Sequence, residues 1–75
     1  PEGARKRNEQ GIVLLEIALN ERGRAEEVKI LSSSGFRELD EAAVKAVRST
    51  KFKPARADGK AVRTTVRLPV NFVLR

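Results

Sequence analysis

Two stretches near the start of the chain alternate in polarity with the period of a β-strand. In residues 12–20, one face of an extended chain carries only branched aliphatic side chains, whereas the other includes Glu16 and Ala18. The aliphatic face consists of Val13, Leu15, Ile17 and Leu19. Residues 24–31 alternate again, and residues 20–23 between them end in glycine, as bulged hairpin loops often do. We therefore predict an antiparallel hairpin whose first strand is central in its sheet.

Residues 36–49 have apolar positions at the spacing of an α-helix. The apolar stripe consists of Leu39, Ala42, Ala43, Ala46 and Val47. Acidic residues precede basic ones along the segment, as the helix dipole favours. Pro54 prevents the helix from continuing. We predict that residues 54–61, which include the turn signal Asp58-Gly59, form a connecting loop.

The alternation is longest in residues 62–74, which predict one long strand with a basic outer face. Pro69, near its middle, cannot donate to a ladder of hydrogen bonds, so the strand is expected at a sheet edge. Backbone groups alternate in direction along a strand. Arg67, Asn71 and Val73 should therefore direct their N–H and C=O groups to the open side, as Pro69 directs its C=O. An ordinary edge strand protected against aggregation has the same features. Arg63, Arg67 and Arg75 on the basic face are candidates for attracting an acidic partner, although a solvated basic face is the commoner explanation.

Composition limits the chemistry that this chain can perform. Its 75 residues suffice for one domain, spanning residues 1–75, and include no Cys, His, Met, Trp or Tyr. The chain thus lacks soft and imidazole metal ligands and the usual thiol and imidazole catalysts, which excludes most enzyme classes, and we expect no catalytic residue, no cofactor and no metal. The chain starts at Pro1 rather than at Met, so we expect it to be a fragment of a longer protein. Residues 1–10 are predicted to contain a short helix.

Parts of the sequence suggest three other functions. The net charge of +6 would suit nucleic acid, but Phe52 and Phe72 occupy core-facing positions and Phe36 stands alone, which leaves no stacking platform. We expect no nucleic-acid partner, although a basic nucleic-acid-binding domain remains an alternative. The serines of residues 32–34 could suggest a nucleophile, and the acidic residues of 38–41 a metal site. A loop with a helix cap, and charge at a helix N-terminus, explain them better.

Taken together, several motifs resemble the TonB C-terminal domain family over nearly the whole chain. They are the first strand G-I-V-L-L-E-I, the segment S-S-G followed by E-L-D-E-A-A, the F-K-P at residues 52–54, and the final V-R-L-P-V-N-F. The resemblance implies an α+β fold with a three-stranded antiparallel sheet in the order 2-1-3. One main helix packs on one face of the sheet, and a short helix precedes the first strand. The same order of elements follows from the periodicity alone.

The resemblance also implies a function without enzymatic activity. It implies a periplasmic, energy-transducing domain of an inner-membrane-anchored protein, driven by an ExbB/ExbD-type motor. Such domains bind the TonB box of outer-membrane transporters for siderophore-bound iron or vitamin B12, by β-strand addition at the last strand. The residues expected to bind this partner are Val66, Arg67, Leu68, Val70, Asn71, Phe72 and Val73. A TolA-like domain of another envelope complex is an alternative, and a homodimer through residues 62–74 would compete for the same edge.

Overall fold

The structure, a computed structural model, describes residues 2–3 and 10–73. Its elements are the strands β1 (Gly11–Leu19) and β2 (Ala25–Ser32), the helix α1 (Arg37–Ser49), and the strands β3 (Ala55–Ala57), β4 (Lys60–Val62) and β5 (Thr64–Phe72). The three long strands form an antiparallel sheet in the order β2-β1-β5. The predicted α+β fold and the strand order 2-1-3 are confirmed.

The core lies between the central strand and the helix. Alternate side chains of β1 are buried, and Val13, Leu15 and Ile17 have no solvent exposure. The helix adds its own buried stripe, in which Ala43 and Val47 join the β1 cluster. Burying an aliphatic side chain of this size stabilises a fold by roughly 1.5–3 kcal/mol. The helix is therefore held on one face of the sheet by the side chains that the periodicity predicted.

Two of the predicted boundaries are wrong. Residues 54–61 were predicted as a loop, but Ala55–Ala57 and Lys60–Val62 pair as a separate two-stranded hairpin. Asp58 and Gly59 both have positive φ, as a two-residue hairpin turn of the type I′ class requires. The single strand predicted over 62–74 is interrupted at Arg63, so that β4 belongs to the small hairpin and β5 to the main sheet. A local turn preference was sufficient to form strands too short for periodicity to reveal.

The ends of the chain limit what can be compared with the sequence. The predicted N-terminal helix falls largely on residues 4–9, which lie outside the described residues. Leu74 and Arg75, the end of the predicted last strand, lie outside them too. In the described part of the chain, no helix combines the length and the apolar character needed to cross a membrane.

Gly23, in the loop between β1 and β2, lies against the backbone that follows the helix. Its carbonyl accepts a hydrogen bond from the N–H of Phe52, with an N···O distance of 2.8 Å. Gly23 has a φ of 80°, and a Cβ built there would lie 1.8 Å from the carbonyl oxygen of Phe52. Any side chain at this position would force the loop away from residues 52–54. The glycine therefore fixes the place where the chain leaves the helix and returns towards the sheet.

Replacing Gly23 by Ala should destabilise the domain more than the same change at Gly59. Both glycines have positive φ, but a Cβ at Gly59 would meet no atom within 4 Å. We expect Gly59→Ala to cost about 1–2 kcal/mol for backbone strain alone. Gly23→Ala should cost about 1–3 kcal/mol more because of the clash. Urea unfolding of the two variants measures the difference, and equal losses would contradict the close approach at Gly23.

The start of the helix is held by a carboxylate rather than by a side chain at its N-cap. Phe36 occupies the N-cap position and makes no side-chain capping hydrogen bond. Instead, Asp40 accepts hydrogen bonds from the backbone N–H and the hydroxyl of Ser34, at 3.0 and 2.8 Å, and from the hydroxyl of Ser33. Partial burial would raise the pKa of Asp40, but these hydrogen bonds outweigh it and lower the pKa below its ordinary value. The carboxylate thus ties the β2–α1 connection to the first turns of the helix.

Asp40→Asn should destabilise the domain at neutral pH and much less in acid. A carboxyl whose pKa is lower in the folded state stabilises that state above the unfolded pKa of about 3.9, and the gain is lost as the pH falls through the folded value. We expect a loss of about 1 kcal/mol at pH 7, because the hydrogen bonds are charge-assisted but partly exposed. Urea unfolding at pH 7 and pH 3 measures the effect.

Glu41→Gln is the matched control for Asp40→Asn. Its carboxylate lies 3.6 Å from the Arg37 guanidinium, and both side chains are largely exposed. We expect this change to alter the free energy of unfolding by less than about 0.5 kcal/mol, as is usual for exposed ion pairs in helices. A loss at Asp40 that is the same at both pH values would rule out the ionised carboxylate as its cause.

Candidate functional site

The outer edge of β5 is the longest regular edge in the structure. All nine residues of β5 pair with β1, from Thr64 opposite Leu19 to Phe72 opposite Gly11, without any register shift. Among the strands of residues 10–73, β5 has a neighbour on one side only. Its second row of backbone groups therefore has no strand partner within the described part of the chain. An uninterrupted row of this kind can accept another extended segment.

Pro69 determines which residues direct their backbone groups to this edge. It lies opposite Leu14 in the register. Proline has no N–H, so this pair belongs to the class that exchanges no hydrogen bonds, and the Pro69 carbonyl points away from β1. Because the direction alternates along a strand, the odd-numbered residues of β5 have the same outward orientation. They are Thr65, Arg67, Pro69 and Asn71.

The seven residues predicted to bind a partner all lie on β5 or directly after it, but they differ in exposure. Four of them pack against the core from the helix side of the sheet and are only partly buried: Val66, Leu68, Val70 and Phe72. Arg67 and Asn71 are exposed on the opposite face. Val73 follows the strand and is 57% exposed. The predicted set therefore combines outward backbone groups with side chains that serve the core.

The basic residues near this strand are not equivalent. Arg63 contacts the carboxylate of Glu26, and its Nε lies 4.0 Å from Oε1 of Glu21. This arginine was a candidate for attracting an acidic partner, but its charge is already largely balanced by these two carboxylates. Arg67 lies opposite Glu16 in the register and is exposed. Arg67 is the basic side chain best placed beside the outward row of β5.

A shallow hollow lies on the sheet face away from the helix and was not predicted. Its volume is about 110 Å³, and its lining consists of Glu16, Ala18, Glu27, Lys29 and Thr65. Ala18, which pairs with Glu27 of β2 and Thr65 of β5, has the smallest side chain in this lining. Lys29 Nζ lies 3.7 Å from Glu27 Oε1, so opposite charges already meet there. Only pairing across strands, which periodicity within one strand does not reveal, brings these residues together.

The other candidate sites have structural roles. The hydroxyls of Ser33 and Ser34 bind the Asp40 carboxylate, which agrees with the predicted loop and helix connection. Across the described residues, no group of three or more acidic side chains is arranged to hold a metal ion. Phe52 and Phe72 pack against the core, as the sequence predicted, so neither belongs to an exposed aromatic platform.

Comparison with known proteins identifies the family. The family described as Gram-negative bacterial TonB protein C-terminal matches residues 1–74. The chain is 39% identical over 74 residues to Protein TonB of Vibrio cholerae serotype O1, covering 99% of this chain and 30% of that protein. It is also 39% identical over 74 residues to Protein tonB2 of Pseudomonas aeruginosa, covering 99% and 27%. Protein TonB of Xanthomonas campestris pv. campestris is 36% identical over 74 residues, covering 99% and 33%.

The chain thus spans about a third or less of the length of these curated relatives. The match nevertheless includes β1, α1 and the open edge strand β5. The predicted resemblance is confirmed, and the chain belongs to the TonB C-terminal family.

Proposed function

We propose that this domain is the periplasmic, energy-transducing part of a TonB-like protein and binds the TonB box of outer-membrane transporters by β-strand addition at β5. The transporters would take up siderophore-bound iron or vitamin B12. The single observation that carries the proposal is the uninterrupted nine-residue register of an edge strand that has Pro69 near its middle. Strand addition needs backbone donors and acceptors in register and requires little of the partner's side chains.

Membership of the family supports the wider setting of the proposal. Curated relatives are named TonB, and this chain matches a part of each of them. The parent protein would be anchored in the inner membrane and coupled to an ExbB/ExbD-type motor through regions outside this chain. The domain itself would perform no catalysis and would transmit force by holding the transporter segment.

The geometry of β5 suits a load-bearing contact. Each backbone hydrogen bond contributes only about 0.5–1.5 kcal/mol net. Several such bonds lying side by side along one strand share a load that is applied parallel to it. Because β5 is joined to the central strand along its whole length, the load would pass directly to the part of the sheet with the deepest burial. Arg67 would add attraction for acidic segments, and salt would weaken that contribution.

Asn71→Pro should weaken peptide binding while leaving the sheet intact. Asn71 has the same outward orientation as Pro69, so proline there removes an outward N–H and no bond to β1. We expect the Kd for a synthetic TonB-box peptide to rise between about twofold and tenfold. Isothermal titration calorimetry measures the Kd, and thermal unfolding checks that the fold is retained.

Ile30→Pro is the matched control, because it removes an outward N–H from the opposite sheet edge. Ile30 of β2 lies opposite Leu15 of β1, whose backbone groups point towards β5, so the N–H of Ile30 points outward. Its side chain is 45% exposed. This change should leave the Kd unchanged. Equal weakening by both prolines, or no weakening by Asn71→Pro in a folded domain, would contradict binding at β5.

A direct localisation uses amide-resolved NMR. Titration with the TonB-box peptide should shift the amides of residues 64–73 most strongly. A parallel titration with a duplex DNA oligomer at low and at physiological salt tests the nucleic-acid alternative, whose affinity should fall steeply with salt. No amide shifts with the peptide, together with amide shifts across the basic surface on addition of DNA, would overturn the proposal.

A further inference from the structure

The sheet has two outer strands, β2 and β5, and both are edges in the described part of the chain. Strand addition depends mainly on backbone groups, so the chemistry of the peptide does not by itself distinguish one edge from the other. A preference for one edge must therefore come from the backbone geometry of the two strands. The registers of the two strands against β1 differ in a way that provides one.

β2 pairs with β1 through two irregularities, whereas β5 has none. The register shifts between Leu14 and Leu15 and again between Ala18 and Leu19. Each shift leaves one extra residue on β2: Leu31 at the first and Glu26 at the second. Regular pairing of β2 is thereby confined to the four residues between these two bulges, residues 27–30.

The direction of the backbone groups shows how little of the β2 edge is usable. Leu14 exchanges no hydrogen bonds with Pro69, so its backbone N–H and C=O point towards β2. Because the direction alternates along β1, the backbone groups of Leu15 and Ile17 point towards β5. Their partners on β2, Ile30 and Val28, are then the residues of the regular stretch that face outward. The β2 edge thus offers two outward residues in regular geometry. β5 offers twice as many over its uninterrupted length.

The edge of β2 also carries exposed apolar side chains, which would favour aggregation if the edge were regular. Ile30 is 45% exposed and Leu31 is 42% exposed. A flat edge with exposed branched side chains is a template for pairing with other chains. Bulges are one of the features by which proteins prevent such pairing. The extra residue at Leu31 lies at the apolar end of this strand.

We infer that the two extra residues Glu26 and Leu31 block strand addition at β2 and so restrict it to β5. The inference rests on the proposed function, because it names which of two edges receives the transporter segment. It also assigns a role to two residues outside the partner-binding strand.

Deletion of both Glu26 and Leu31 tests the inference, because it makes the pairing of β2 regular from Ala25 to Ser32 and adds Ala25, opposite Leu19, to its regularly spaced outward residues. We expect the variant to gain a second competent edge. The bound TonB-box peptide should rise from one to two per domain, or the domain should self-associate through β2. Analytical ultracentrifugation measures the association, and calorimetry measures the stoichiometry. The control, Glu26→Ala combined with Leu31→Ala, keeps both extra residues and removes most of both side chains, including the carboxylate beside Arg63, so it should behave as the unaltered domain.

A folded deletion variant that stays monomeric and binds one peptide would overturn the inference. If the deletion variant does not fold, the peptide titration of the unaltered domain tests the inference instead. At saturating peptide, the amides of Val28 and Ile30 should stay unshifted while those of β5 shift. Amide shifts at both β2 and β5 with the same midpoint in peptide concentration would overturn the inference. If the peptide binds at neither edge, the proposed function fails. Self-association of the deletion variant then still tests whether the two bulges of β2 block strand pairing.

Discussion

The burial of β1 between two strands and a helix is the constraint on which the other elements depend. Val13, Leu15 and Ile17 are fully buried against α1, and β1 pairs on one side with β2 and on the other with β5. Displacing this strand would expose the core and break both ladders at once. The helix, the hairpin loop at Gly23 and the edge strand are all placed relative to it.

The features that depend on periodicity within one segment could be predicted from the sequence. The alternating apolar runs and the stripe at Leu39, Ala43 and Val47 predicted the central position of the first strand, the helix and most of the core, because burial selects side chains at the period of each element. The open edge could be predicted as well, since a proline in the middle of a strand is compatible with few other positions. These predictions required no knowledge of contacts between distant residues.

The features that periodicity could not reveal depend on contacts between segments. The two bulges of β2 appear only when its register against β1 is known, and the ion pairs of Arg63 join residues far apart in the chain. The role of Asp40 depends on the return of Ser33 and Ser34 to the first turns of the helix, where an early acidic residue predicts only a general dipole effect. The hairpin of β3 and β4 was missed because three-residue strands are too short to establish a period.

The separation of β1 and β5 along the chain has a consequence for how the domain is made. β2 follows β1 directly, and such a hairpin closes on the microsecond timescale, but β5 begins about 45 residues after β1 ends. Until β5 docks, the most apolar strand of the protein has a free side. A newly synthesised chain therefore passes through a stage in which β1 is itself an edge, and an unpaired apolar edge favours aggregation. The strand proposed to receive a transporter segment is also the strand that ends this stage.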